Sequence, residues 1–136
     1  MTLCKDLCDR RTSDLMTNDI LTTTAGTTLE AAARSMFEGN VHALFILPDE
    51  PGDAIGIVSR KDIVQVLVHE GEAALADMLV DDVMVKPVIT VPHRMRVRDA
   101  LRLMRMTGVR RTPVMRGDEV IGVFSYSDVI RALVSP

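Results

Sequence analysis

Long apolar runs are missing from this 136-residue chain. No stretch approaches the ~18 apolar residues that a membrane span requires, so no membrane association is expected. Cysteine is scarce: Cys4 and Cys8 lie one helical turn apart, and the three histidines, His42, His69 and His93, are scattered. Zinc sites use two closely spaced ligand pairs, so no metal site is expected and the thiols read as packing or surface groups. The start, Met1 to Asp9, carries two acids and no apolar core segment. That is not a secretory signal, and a cytoplasmic location is the expectation. The formal net charge is only −3, which gives no case for a general nucleic-acid binder. The chain also lacks a Gly-Lys-Ser/Thr phosphate loop, a suggestive Ser-His-acid pairing and a complete metal-ligand set. Their joint absence argues against an autonomous enzyme.

What the chain does contain is a duplication. With 47% hydrophobic and 26% charged residues it reads as a globular chain, long enough to bury roughly two-thirds of its unfolded surface. Residues 14–47 lie on 82–115 at an offset of 68, and residues 54–68 lie on 120–134 at an offset of 66. The two extra residues of the first copy fall within Pro48 to Asp53, a turn-rich stretch where loops tolerate length changes. A unit of about 60 residues is marginal alone, so the copies are expected to pack together.

Each copy reads β-α-β-β-α. Ile20 to Thr23 and Val88 to Val91 are short β-prone runs. Leu29, Ala32, Ala33 and Met36 then recur at helical spacing, as do Val97, Ala100, Leu101 and Met104. Thr27 with Glu30 offers a capping box for the first of these helices. Ala43 to Leu47 and Thr112 to Met115 form the next strands, with Pro113 suited to a strand start or edge. A third strand carries Ile55-Gly56-Ile57-Val58-Ser59-Arg60-Lys61-Asp62 in one copy and Ile121-Gly122-Val123-Phe124-Ser125-Tyr126-Ser127-Asp128 in the other. Final helices are expected over Lys61 to His69 and Ser127 to Leu133. The organisation is a leader at 1–11, repeat one at 12–70, a helical linker at 71–80 and repeat two at 81–136.

These residues resemble a tandem pair of CBS domains, the Bateman module, over residues 12–135. The duplicated Gly-x-x-Ser-x-x-Asp strings and Val109-Arg110-Arg111-Thr112-Pro113-Val114 carry the likeness; repeat one has Leu44-Phe45-Ile46 where the family has a small residue, Pro and Val. The resemblance implies an α+β fold with two repeats packed about a pseudo-twofold axis. It also implies clefts that bind adenosine-containing effectors such as AMP, ADP, ATP or S-adenosylmethionine, a homodimer, and a regulatory role toward another protein. No obligatory cofactor is implied.

Ser59 with Asp62, and Ser125 with Asp128, have two readings. Ser-x-x-Asp at a helix start is a cap worth ~1 kcal/mol. By resemblance, the Asp instead accepts from ribose hydroxyls while the Ser meets phosphate at the helix N-terminus. Arg110 and Arg111 read as a basic turn or as the family's phosphate contacts beside Thr112. Repeat one has His42 and Ala43 there, with Arg60 and Lys61 as substitutes. Ile20, Thr22, Val88 and Thr90 offer apolar walls for an adenine, or plain β-core. The two sites are therefore expected to be unequal, with Asp128 the better formed. Leu103 and Met106 form an apolar flank suited to a partner surface, so a ligand-free dimerisation module is the competing function. A nucleic-acid binder using Arg94, Arg96, Arg98, Arg102, Arg105, Arg110 and Arg111 is a weaker third reading.

Overall fold

A computed structural model describes residues 6–18 and 20–135. Two compact units divide the chain: Ile20–Val88, and Met1–Asp19 together with Ile89–Pro136. In the first unit, β1 (Thr22–Thr24), α2 (Leu29–Glu38), β2 (Ala43–Leu47), β3 (Gly56–Ser59) and α3 (Arg60–Glu70) follow in order, ending with short helices α4 (Ala74–Asp77) and α5 (Val80–Val83). The second unit opens with α1 (Thr12–Leu15) and resumes with β4 (Val91–Pro92), α6 (Val97–Thr107), β5 (Arg111–Arg116), β6 (Glu119–Ser125) and α7 (Tyr126–Val134). Each unit holds a three-stranded sheet in which the first strand runs parallel to the second and the second antiparallel to the third. The α+β repeat order is as the sequence indicates.

Helical periodicity decides which side chains are buried. Leu29, Ala32 and Met36 of α2 sit in one core with Leu44, Ile46, Val58 and Val80. Val97, Ala100 and Met104 of α6 sit in the other with Leu15, Val91, Val114 and Phe124. Burying such a side chain contributes ~1.5–3 kcal/mol, so these stripes hold each helix on its sheet. Leu103 packs against the second core, leaving Met106, 73% exposed, as the apolar residue of that flank facing solvent.

The leaders are exchanged. Thr17 of the first copy pairs with Val123 on the outer edge of β6, through backbone hydrogen bonds of 2.9 Å in each direction. Val85, its counterpart in the second copy, pairs with Ile57 on β3. The sequence blocks 12–70 and 81–136 are thus threaded through both units. This exchange explains the glycine in each repeated string. A Cβ at Gly56 would lie 2.7 Å from Met84 Sδ, and one at Gly122 would lie 2.6 Å from Met16 Sδ and 2.9 Å from the Thr17 carbonyl oxygen.

Several local expectations shift. The helix cap is Thr28, whose side chain accepts from the Ala31 N–H, while Thr27 hydrogen-bonds the Thr23 hydroxyl instead. The opening strands are shorter than their β-prone runs: Ile20 precedes β1, and Val88 and Thr90 precede β4. Pro113 lies inside the middle strand β5, yet β4 pairs only with Val114 and Met115, so its missing N–H falls beyond that pairing. Cys8 is buried and disulfide-bonded, not a thiol as expected; Cys4 lies outside the described residues. No helix among the described residues is long and apolar enough to cross a membrane.

Candidate functional site

Both Ser-x-x-Asp strings cap a helix where a strand turns into it, reciprocally at Ser59 and Asp62, and through the Asp128 carboxylate alone at Ser125 and Asp128. Ser59 and Ser125 hold extended backbone angles as the N-caps of α3 and α7. At the first junction Asp62 Oδ2 accepts from the Ser59 N–H at 2.8 Å and the Ser59 hydroxyl at 2.9 Å, and the Ser59 side chain accepts from the Asp62 N–H at 3.2 Å. No group among the described residues donates to Asp62 Oδ1. The cap reading is therefore real, and it leaves half of this carboxylate open.

The second junction is occupied on both sides. Asp128 Oδ2 accepts from the Ser125 N–H at 2.8 Å and its hydroxyl at 3.2 Å. Asp128 Oδ1 accepts from the Thr17 hydroxyl at 2.6 Å and from the Arg131 guanidinium at 2.8 Å. Asp128 is only 2% exposed. A carboxylate offers about four lone-pair positions, and all are engaged here.

A largely open groove of about 480 Å³ lies beside Asp62, lined by Asp62, Gln65, Val66, His69, Glu70, Met78 and Val83. That size lies within the usual range for small-molecule sites. Gln65, His69 and Glu70 were not singled out from the sequence. The signal was present, because residues three, seven and eight positions beyond Asp62 share its helical face. No lysine or arginine lines this groove. The local charge follows the chain's division: Ile20–Val88 carries four basic and eleven acidic residues, whereas the remainder carries twelve basic and eight acidic ones.

The other sequence candidates are dispersed. Thr112 is fully buried, and its hydroxyl donates to the Ile89 carbonyl at 2.6 Å, which removes its side chain from any ligand surface. The reason lies in Pro113. In repeat one the corresponding carbonyl, Leu21, accepts the Phe45 N–H at 3.1 Å; Pro113 replaces Phe45 and has no N–H, so the Thr112 hydroxyl takes its place. Arg110 and Arg111 are exposed at the start of β5 and form no ion pair among the described residues. Arg60 is exposed, with Nε donating to the Val41 carbonyl at 2.9 Å and its backbone N–H to the His42 carbonyl at 3.0 Å. His42, Lys61 and Thr22 are exposed, while Ile20, Val88 and Thr90 are half-buried. On α6, Arg102 and Arg105 face solvent and Arg98 is ion-paired with Asp9. No trio of His, Cys, Asp or Glu among the described residues could hold a metal ion.

Two α+β repeats, each closed by a capped strand-to-helix junction, define a tandem-repeat module. The chain belongs to the CBS domain family, whose model matches residues 13–69 and 80–135. It is 32% identical over 82% of its length to the mitochondrial CBS domain-containing protein CBSX3 of Arabidopsis thaliana. The chain spans little more than half the length of such curated relatives, 55% in this case. Among solved structures, the hexameric CBS-CP12 protein from bloom-forming cyanobacteria superposes with a TM-score of 0.76 at 30% identity, over 88% of this chain and 69% of that one. The CBS domain pair of protein MJ0100, in complex with 5-methylthioadenosine and S-adenosyl-L-methionine, superposes with a TM-score of 0.74 at 22% identity, over 91% of this chain and 95% of that one.

Proposed function

We propose that the chain is a regulatory module that binds an adenosine-containing ligand and relays its occupancy to a partner protein. The observation that carries this reading is the Asp62 junction: a capped carboxylate with one oxygen open beside a groove of about 480 Å³. A ribose supplies two adjacent hydroxyl donors, which suit an acceptor held in place by its own helix cap. The lining combines apolar Val66, Met78 and Val83 with polar Gln65, His69 and Glu70. With two carboxylates and no lysine or arginine in the lining, the junction favours a nucleoside of low negative charge over a triphosphate. S-adenosylmethionine and methylthioadenosine meet that requirement, and both accompany the MJ0100 domain pair.

Thermal-shift titration with S-adenosylmethionine, methylthioadenosine, AMP and ATP tests the reading. Ligand at a hundredfold its Kd stabilises the folded state by about 2.7 kcal/mol, which a melting curve resolves. Asp62→Asn keeps the size and a capping acceptor but loses the charge, and is expected to fold and lose most of the response. No shift with any of the four ligands at millimolar concentration contradicts the reading.

A second reading, assembly through helix faces, has its own support. Val64, Leu67 and Val68 on α3 are exposed, as are Ile130, Leu133 and Val134 at the matching positions of α7. Apolar stripes repeated on equivalent helices suit a homodimer or a partner protein. Sedimentation velocity of Val68→Glu and Val134→Glu variants tests it, with a smaller species than the parent expected. Ligand binding and assembly can coexist in one cytoplasmic regulator.

A further inference from the structure

We propose that Arg131 is a tethered competitor at the second junction, holding Asp128 closed so that ligand enters at Asp62 first. This rests on the ligand-binding reading above and specifies which junction is in use. At both junctions the Ser N–H and hydroxyl donate to the Asp Oδ2, and the first adds the reciprocal bond from the Asp62 N–H to the Ser59 hydroxyl; the difference that bears on ligand entry lies in what reaches the other oxygen. At Asp128 that oxygen is taken by Arg131 and Thr17. At Asp62 the repeat-equivalent residues are Gln65 and Val85. Val85 cannot donate from its side chain. Gln65 lines the groove without hydrogen-bonding the carboxylate.

Thr17 and Arg131 are held differently. The Thr17 backbone is fixed by its two bonds to Val123, which keeps its hydroxyl within reach of Asp128. The Arg131 side chain is 59% exposed and reaches a carboxylate that is 1% exposed. Its guanidinium can swing into water without any shift of the backbone, giving up one charge-assisted hydrogen bond, which makes it the movable donor. Tethering one helical turn from Asp128 gives it a high effective concentration that a free ribose must overcome. The chain thereby carries one open and one self-occupied junction.

Isothermal titration calorimetry of the full chain with S-adenosylmethionine and with AMP tests this, using the parent, Asp62→Asn and Arg131→Gln. Glutamine is what repeat one carries at that position, and the site is exposed enough for the variant to fold. The parent is expected to bind one equivalent of at least one probe, and Asp62→Asn to lose it. Arg131→Gln is expected to gain a second equivalent, its affinity rising roughly tenfold or more, as loss of a charge-assisted competitor implies. An unchanged Arg131→Gln isotherm beside a binding parent overturns the competitor role and leaves the ligand-binding reading standing. Weaker binding by Arg131→Gln also overturns it, because the arginine would then be a ligand contact. Two equal sites in the parent do the same. If no chain binds either probe, the ligand-binding reading falls, and this proposal with it.

Discussion

Replacing Thr112 by valine removes one hydroxyl from a fully buried position and nearly preserves its shape. The lost bond is the 2.6 Å contact to the Ile89 carbonyl, which then has no donor, because the neighbouring Pro113 has no N–H to offer. A neutral hydrogen bond contributes about 1 kcal/mol net, and an acceptor left unpaired in a buried setting costs ~1–3 kcal/mol. Ile89 is half-buried, so water recovers part of that, and a loss of about 1–2 kcal/mol is expected. Pro113→Ala restores an N–H at the position where Phe45 donates to Leu21 in the first repeat. Alone it costs the ring's packing and ~0.4–1 kcal/mol of unfolded-state restriction. Both losses occur in either background and cancel in a double-mutant cycle. Urea unfolding of the parent, both single variants and the double variant should give a coupling of about 1 kcal/mol, with the double variant more stable than the sum of the singles. Additivity within ~0.3–0.5 kcal/mol would refute the idea that Thr112 replaces a proline's missing donor.

Other outcomes follow from the same geometry. Gly122→Ala should destabilise more than Gly56→Ala: the Thr17 carbonyl at 2.9 Å is backbone and cannot move aside, whereas the close atoms at Gly56 belong to the flexible Met84 side chain. Thermal melts of the two variants check the order. Ser59→Ala removes a cap and should cost about 1 kcal/mol in urea unfolding while retaining much of any ligand response, since Asp62 still accepts the Ser59-position N–H. Met106→Glu, at a position 73% exposed, should leave the melting temperature within a degree or two of the parent, because Leu103 and not Met106 packs on the core.

The sequence was informative wherever a local rule decides structure. The α2 and α6 stripes, the strand at Ala43–Leu47 and both Ser-x-x-Asp caps follow from period, propensity and capping chemistry, and the structure has each of them. What escaped the sequence depends on partners far along the chain. Met16 and Met84 align with each other, so alignment assigns each leader to its own repeat; only packing against Gly122 and Gly56 reveals the exchange. Thr112 fits a family binding motif, but its hydroxyl is committed to a carbonyl 23 residues away. Arg131 looks like an ordinary surface arginine until its guanidinium is seen on Asp128. The choice between Thr27 and Thr28 as helix cap turned on Thr23, which draws the Thr27 hydroxyl away. The expectation of a better-formed Asp128 site came from Arg110 and Arg111 in the second repeat and from the family resemblance; what the sequence does not show is that Thr17 and Arg131 already engage that carboxylate.

The most direct measurement of the central claim is a two-dimensional amide spectrum of the labelled chain, recorded while S-adenosylmethionine is titrated in. Ligand at the open junction should shift the amides of Ser59 to Ile63 and those of Gln65 and His69 along the groove, with Ser125 to Val129 nearly unmoved. Shifts confined to Ser125 to Val129, or no shifts at millimolar ligand, would contradict a module that reads its ligand at Asp62.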